Sequence, residues 1–384
     1  MKRPLLGAPG LLGTALLLSG LASPLAGQAM GGTVPGGDGI LYIGTYGREI
    51  VRLDERTGNL LPPIPMQGMP RTIVPNTAGD RFYVLDTSYE NVEVVDVPEG
   101  RVVDRFTLSD GPTSRVRIWG MTLDPRERYA IFLTKRYRAR PDRYQVDEPV
   151  LLRWDLGTKQ VTDTIPWPGG DVRDAVRLVF SPDGELLYFF AGDAILALET
   201  EGFTEVDRWE YQTALDDGMG SFEFGFPAQS WGDPEEFVGL FRTTDMIQGR
   251  RTMGVASVRL SDRRVEYTPL GPNESVSFTL APGGRMAYGL QQEVGNWHFW
   301  SFDLEAGRVA DRERFAGRPR MSLQVSSNGR LLYIYNAGNT IDVYDADSYA
   351  LLRVIQLPGD NTTPLFILPG ASRGGGEGEA GGGS

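Results

Sequence analysis

The feature that most constrains this chain is a short pattern that returns seven times along its 384 residues. A turn of Pro, Asp, Asn, Ser or Gly runs directly into an apolar stretch carrying an aromatic ring. Clear copies are Asp38-Gly39 before Tyr42, Asn76 to Gly79 before Tyr83, Ser181 to Gly184 before Tyr188, Ala281 to Gly284 before Tyr288, and Ser326 to Gly329 before Tyr333. Degenerate copies sit at Asp124-Pro125 and Gly232-Asp233-Pro234. A second pattern alternates with the first, an apolar stretch ending in an acidic residue and a turn. It occurs at Asp54, Asp96, Asp155, Glu199, Asp262, Asp303 and Asp345. Copies lie roughly 42 to 60 residues apart, and a repeat of that size is a unit that buries its apolar faces only by stacking on its neighbours.

The residue types decide what the unit is. Gly and Asn supply the positive φ of tight turns, while Asp and Ser bond nearby backbone. Runs such as 186–190 and 331–335 are apolar or aromatic throughout, as strands covered on both faces are. No stretch sustains a 3.6-residue apolar period, which disfavours helices and βα alternation. The predicted fold is all-β: a seven-bladed β-propeller of four-stranded antiparallel blades spanning residues 38–370. The run 40–45 already follows its Gly turn, so the first blade lacks its innermost strand. The segment 364–369 follows a complete seventh set, and as a C-terminal strand it completes the first blade and closes the ring.

The termini read differently. Lys2 and Arg3 precede an apolar run over 11–22, and Gly27 and Ala29 are placed for signal-peptidase cleavage. That run falls short of the roughly 20 residues needed to span a bilayer. No cysteine follows it, so a lipid anchor is excluded. Residues 1–29 are therefore expected to be a bacterial-type signal peptide of a periplasmic or secreted protein, with no stable membrane span after cleavage. Lys2 and Arg3 are the basic residues of that segment, so its loss takes the formal charge from −12 to −14. Residues 371–384 are Gly-rich and expected to be a disordered tail.

Composition then excludes chemistry. With no Cys there is no disulfide, thiolate metal site or cysteine nucleophile, and the single His cannot build an imidazole zinc site. No cofactor and no metal are expected. The acidic balance argues against nucleic acid.

The turn-plus-aromatic repeat resembles the YVTN-type repeats of seven-bladed propellers similar to the quinoprotein amine dehydrogenase structural chain. The resemblance covers nearly all of residues 38–370 and implies the WD-like ring. A narrower likeness, over 41–46, 50–54 and 57–60, is to the seven-bladed lactonase family, whose members act on sugar lactones. Pro70-Arg71-Thr72 and Arg318-Pro319-Arg320 stand where that family's His segments would be sought, so no catalytic residue carries over.

Function is expected on the face carrying the irregular connections. The insertion 134–149, between the middle strands of blade three, carries Lys135, Arg136, Tyr137, Arg138, Arg140, Arg143 and Tyr144. The insertion 242–254 of blade five carries Arg250 and Arg251, and the link 211–221 carries Asp216 and Asp217. Arg71, Arg115, Arg117, Arg173, Arg177, Arg318 and Arg320 fall just before or within inner strands, near the channel mouth. Arg forks suit carboxylate or phosphate groups, which points to a protein partner or small anionic ligand. The leading expectation is a non-enzymatic binding scaffold. The alternatives are a lactonase-like hydrolase using His298 as a base, or a structural subunit of a redox complex whose cofactor another chain would hold. The seven Trp show no blade period and read as core.

Overall fold

A computed structural model describes residues 34–228, 231–336 and 338–370. The expected signal peptide, 1–29, and the expected tail, 371–384, lie outside the described residues. Among the described residues, seven antiparallel sheets of four main strands follow one another, and in every sheet but the first the main strands pair in sequence order. Blade two shows the plan: Pro70–Pro75 is the inner strand, then Arg81–Asp86, Asn91–Asp96 and the outer Arg101–Thr107. Among the described residues there is no α-helix, and so no helix long and apolar enough to cross a membrane.

Burial follows from position in the blade. The second strand of blade seven, Leu331–Tyr335, is buried along its whole length because blades lie against both of its faces. Outer strands meet water on one side, and Arg101–Thr107 alternates exposed and half-buried residues. The two-residue strand period sends neighbouring side chains into different cores. Leu41 and Ile43 pack with Tyr333, Ile341 and Val343 of blade seven, whereas Tyr42 packs with Phe82, Val84 and Val95 of blade two. Stability therefore resides between blades, and no blade is self-sufficient.

The ring closes as the repeat count predicts. Phe366–Leu368 pairs antiparallel with Ile40–Thr45, placing Leu41 opposite Ile367 and Tyr42 opposite Phe366. Three strands from the N-terminus and one from the C-terminus make blade one. Phe366 stacks on Tyr42 at 5.4 Å and meets Phe82 edge-on at 5.1 Å, which ties the closing strand to blade two as well.

The two insertions are regular structure. In blade three the second strand runs on from Tyr129 to Ala139, and the inner strand Ser114–Leu123 lengthens to pair with it, Arg117 facing Lys135 and Val116 facing Arg136. Tyr144–Val146 then folds back onto residues 137–139. In blade five, Glu236–Asp245 and Arg250–Arg259 form one continuous hairpin. Its tip is fixed by Asp245, whose Oδ1 accepts from the Ile247 and Gln248 amides, and by Gly249 at φ 64°. Long polar side chains are compatible with a strand when both faces of a ribbon meet water. Charge alone did not separate such a ribbon from a loop.

Candidate functional site

The hairpins between second and third strands and the links from each outer strand to the next blade share one face, termed the upper face. The sequence places its cations here, and most meet a partner. Lys135 Nζ lies 2.7 Å from Asp174 Oδ1, and Arg136 Nη1 lies 3.1 Å from Asp110 Oδ2 while donating to Ser114 Oγ at 2.9 Å. Arg138 pairs with Asp147 at 2.6 Å, and Arg140 donates to Gln145 Oε1 at 2.8 Å. On blade five, Arg251 reaches Glu223 at 2.6 Å and Arg250 bonds Gln248. The structure thus gathers Arg115, Lys135, Arg136, Tyr137 and Arg138 on one ribbon. Their charges are largely balanced, mostly by acids of neighbouring segments such as Glu90, Asp110 and Asp174, so the ribbon is laced rather than openly basic.

Closer to the channel the arrangement is tighter. Glu90 is buried, and its carboxylate takes a 3.0 Å bond from Arg115 Nε, with Arg117 Nε at 3.8 Å. Glu90 Oε1 has no hydrogen-bond partner in these surroundings. Tyr137 lies under the Arg117 guanidinium at 5.0 Å. Next to it Tyr89 and Trp119 stack at 4.8 Å, and Arg71 Nε donates to the Tyr89 hydroxyl at 3.1 Å. Trp119 is 42% exposed, so this tryptophan is not core as the sequence reading held. The cause is a register shift between Ile118 and Gly120, which pushes the indole out of the ladder. Arg71 also lines a cavity of about 350 Å³ with Tyr46, Thr87, Asn336 and Asn361.

The remaining candidates are dispersed. Arg318 is held inside blade seven by Asp342 and the Asn336 carbonyl. Arg320 has φ 60° and no ion pair among the described residues. Arg173 lies 3.9 Å from Asp171, and its buried Nε has no partner. His298 sits in the third strand of blade six, opposite Gln291 and Arg314, half-buried with Nδ1 unpartnered. No serine–histidine or carboxylate–histidine hydrogen bond forms at it among the described residues. Asp216 accepts from the Tyr267 hydroxyl at 2.7 Å, which pins the link 211–221 to blade five. That hydrogen bond, ahead of burial and the Asp216 charge, raises the tyrosine's pKa above 10.0. Among the described residues no group of three or more His, Asp or Glu is arranged to hold a metal ion.

Sequence reasoning missed Glu90 and Trp119. A buried carboxylate in a hairpin turn and a bulged aromatic leave no trace in a repeat pattern.

No family model matches the chain, and no curated protein matches it. Solved structures do. A functionally unknown protein from Desulfotomaculum acetoxidans superposes at TM-score 0.51 and 12% identity, over 86% of this chain and 98% of its own. The dihydro-heme d1 dehydrogenase NirN in complex with DHE gives TM-score 0.50 and 11% identity, over 88% and 76%. AztD from Citrobacter koseri gives 0.48 and 16%, over 86% and 97%. At these identities the likeness is one of fold: the chain is a seven-bladed β-propeller, with the blade count that its turn-plus-aromatic repeats imply.

Proposed function

We propose that the protein is exported and works without catalysis, as a binding propeller that engages a partner protein through its upper face. One observation carries this reading. The two hairpins that project on that face are continuously paired, ion-paired ribbons tipped with bare apolar side chains. Ile247 is 86% exposed, Met246 65% and Tyr144 62%. Apolar groups held out on ordered supports favour association, because covering them removes area from water while little ordering remains to be done. The export half rests on Lys2, Arg3 and the apolar run over 11–22.

The test is native purification from the host envelope with cross-linking mass spectrometry. A variant carrying Tyr144→Ser, Met246→Ser and Ile247→Ser should keep its melting temperature and lose its cross-linked partner. Retention of that partner by the triple variant would sink the reading. A small anionic ligand is the second reading, favoured by arginines without carboxylate partners. The lactonase-like alternative predicts turnover of sugar lactones that His298→Ala abolishes; the isolated imidazole leads us to expect no turnover.

A further inference from the structure

Between blades four and five the propeller is incompletely filled. The inner strand of blade five is only Glu223–Phe224. Gly225 and Pro227 flank Phe226, whose φ is 46°, so the chain leaves the ladder early and turns that ring into the inter-blade space. A cavity of about 430 Å³ remains, lined by Arg173, Arg177, Phe190, Tyr211, Phe224 and Phe226 among others. Its volume suits a one- or two-ring molecule.

The walls have two chemistries. Phe190, Tyr211 and Phe224 each meet Phe226 edge-on, at 4.8, 5.0 and 4.9 Å. These rings form a floor on which a flat apolar body can lie. At the other side stand two guanidiniums. Arg177 lies over Phe237 at 4.8 Å and Phe190 at 5.6 Å, with no hydrogen bond and no ion pair among the described residues. Asp233 and Glu236 line the neighbouring recess with it. Neither comes within ion-pairing distance: Asp233 accepts from the Glu235 amide, and Glu236 is engaged by Arg259 at 3.0 Å and by Ser257. Burial lowers the Arg177 pKa below its ordinary 12.5, the mark of a charge left without compensation. Arg173 adds a buried Nε with no acceptor. A desolvated cation without a counter-charge costs stability, so an anion on Arg177 gains what the fold does not supply, while Arg173, paired with Asp171 at 3.9 Å, offers its unpartnered Nε as a second donor.

We propose that this cleft binds a small aromatic carboxylate, its carboxylate on Arg173 and Arg177 and its ring on the Phe190–Phe224–Phe226 floor. The site is independent of the hairpin tips, so the docking reading can fail while this one stands, and the reverse.

Calorimetry with 2-naphthoate as probe, and neutral 2-naphthamide as its isostere, tests the assignment on the full-length protein. The carboxylate should bind at least about tenfold more tightly than the amide, since a hydrogen bond to a charged group contributes about 1.5–3 kcal/mol. Arg177→Met should remove that preference while keeping the apolar packing. Gly225→Leu is a second, steric variant. Nothing lies within 4 Å of a Cβ at Gly225, itself a lining residue of the cavity, so a larger side chain there competes with a ligand for the same space and should abolish binding of both probes. Equal affinity for acid and amide, or binding unchanged in both folded variants, overturns the proposal. So does the absence of any naphthoate binding at millimolar concentration.

Discussion

Glu55 Oε1 accepts a 3.0 Å hydrogen bond from the hydroxyl of Tyr333, 278 positions further along the chain, and neither residue is exposed to solvent. Glu55 follows the second strand of blade one, and Tyr333 lies in the second strand of blade seven. The same carboxylate accepts from the Ser327 amide at 3.2 Å, in the turn that leads to Tyr333. The bond therefore bridges the seam where first and last blades meet. The pairing of Tyr188 with Glu235 at 2.9 Å repeats the device between blades four and five.

Removing that carboxylate leaves the Tyr333 hydroxyl buried without its partner and the half-buried Ser327 amide without its acceptor. Glu55→Ala is expected to cost about 3 kcal/mol, and Tyr333→Phe about 2 kcal/mol, from the cost of orphaned polar groups. Urea denaturation followed by fluorescence checks both, and a loss below 1 kcal/mol in Glu55→Ala would show that the seam does not depend on it.

The same pair sets a pH dependence. Burial raises the Glu55 carboxyl above its ordinary 4.5, outweighing the hydrogen bonds from Ser327 and Tyr333 that lower it. The folded state thus holds this proton more tightly than the unfolded chain does. Its contribution is fully present below pH 4.5 and is lost as pH rises through the elevated folded value. Tyr333, raised above 10.0 by burial first and then by the Glu55 charge, adds a loss of the same sign in alkali. Glu55→Gln should lose less stability than the parent as pH rises from 4.5 towards 8 in a melting series. An unchanged loss would assign it to other carboxylates.

The closing strand should be indispensable. Deleting residues 362–370 removes Leu365 and Ile367, both buried in the core between blades one and seven. It also removes the Thr363 hydroxyl that accepts from the Gly44 amide at 2.8 Å. The apolar loss alone is about 4–6 kcal/mol, comparable to the whole stability of many domains, and the first blade gains an open edge. Circular dichroism and limited proteolysis should show a chain without a cooperative transition.

Two glycines should respond in opposite ways. A Cβ at Gly289 would stand 2.1 Å from the Ser277 carbonyl oxygen, a backbone atom that cannot turn aside. Gly289→Ala is expected to cost about 3 kcal/mol through forced displacement. Gly225→Ala, in open space, should stay within about 0.5 kcal/mol of the parent. Paired thermal melts decide it.

Arg177→Met should leave stability unchanged or raise it by about 1 kcal/mol, because the guanidinium is desolvated among aromatic rings without a counter-ion. A clear loss on substitution would mean that its contacts with Phe190 and Phe237 hold the blades together. A gain would mark a group kept for binding rather than for folding.

Much was legible before any coordinates. The seven turns at Gly39, Gly79, Asp124, Gly184, Gly232, Gly284 and Gly329 count the blades, because a turn that needs positive φ or an Asx bond restricts its residues locally. The unpaired run 40–45 and the surplus segment 364–369 locate the closure for the same reason, since a strand too few at one end and one too many at the other leave a single arrangement. Contacts made across the ring were not legible. That Arg136, Arg138 and Arg251 meet Asp110, Asp147 and Glu223, while Arg177 meets no carboxylate, depends on which acids neighbouring strands bring within 4 Å. A charge in sequence is the same letter whether paired or bare. The local chemistry of turns and strand alternation thus determined the ring; only the packing of blade against blade decided where that ring holds an uncompensated cation beside an open cleft.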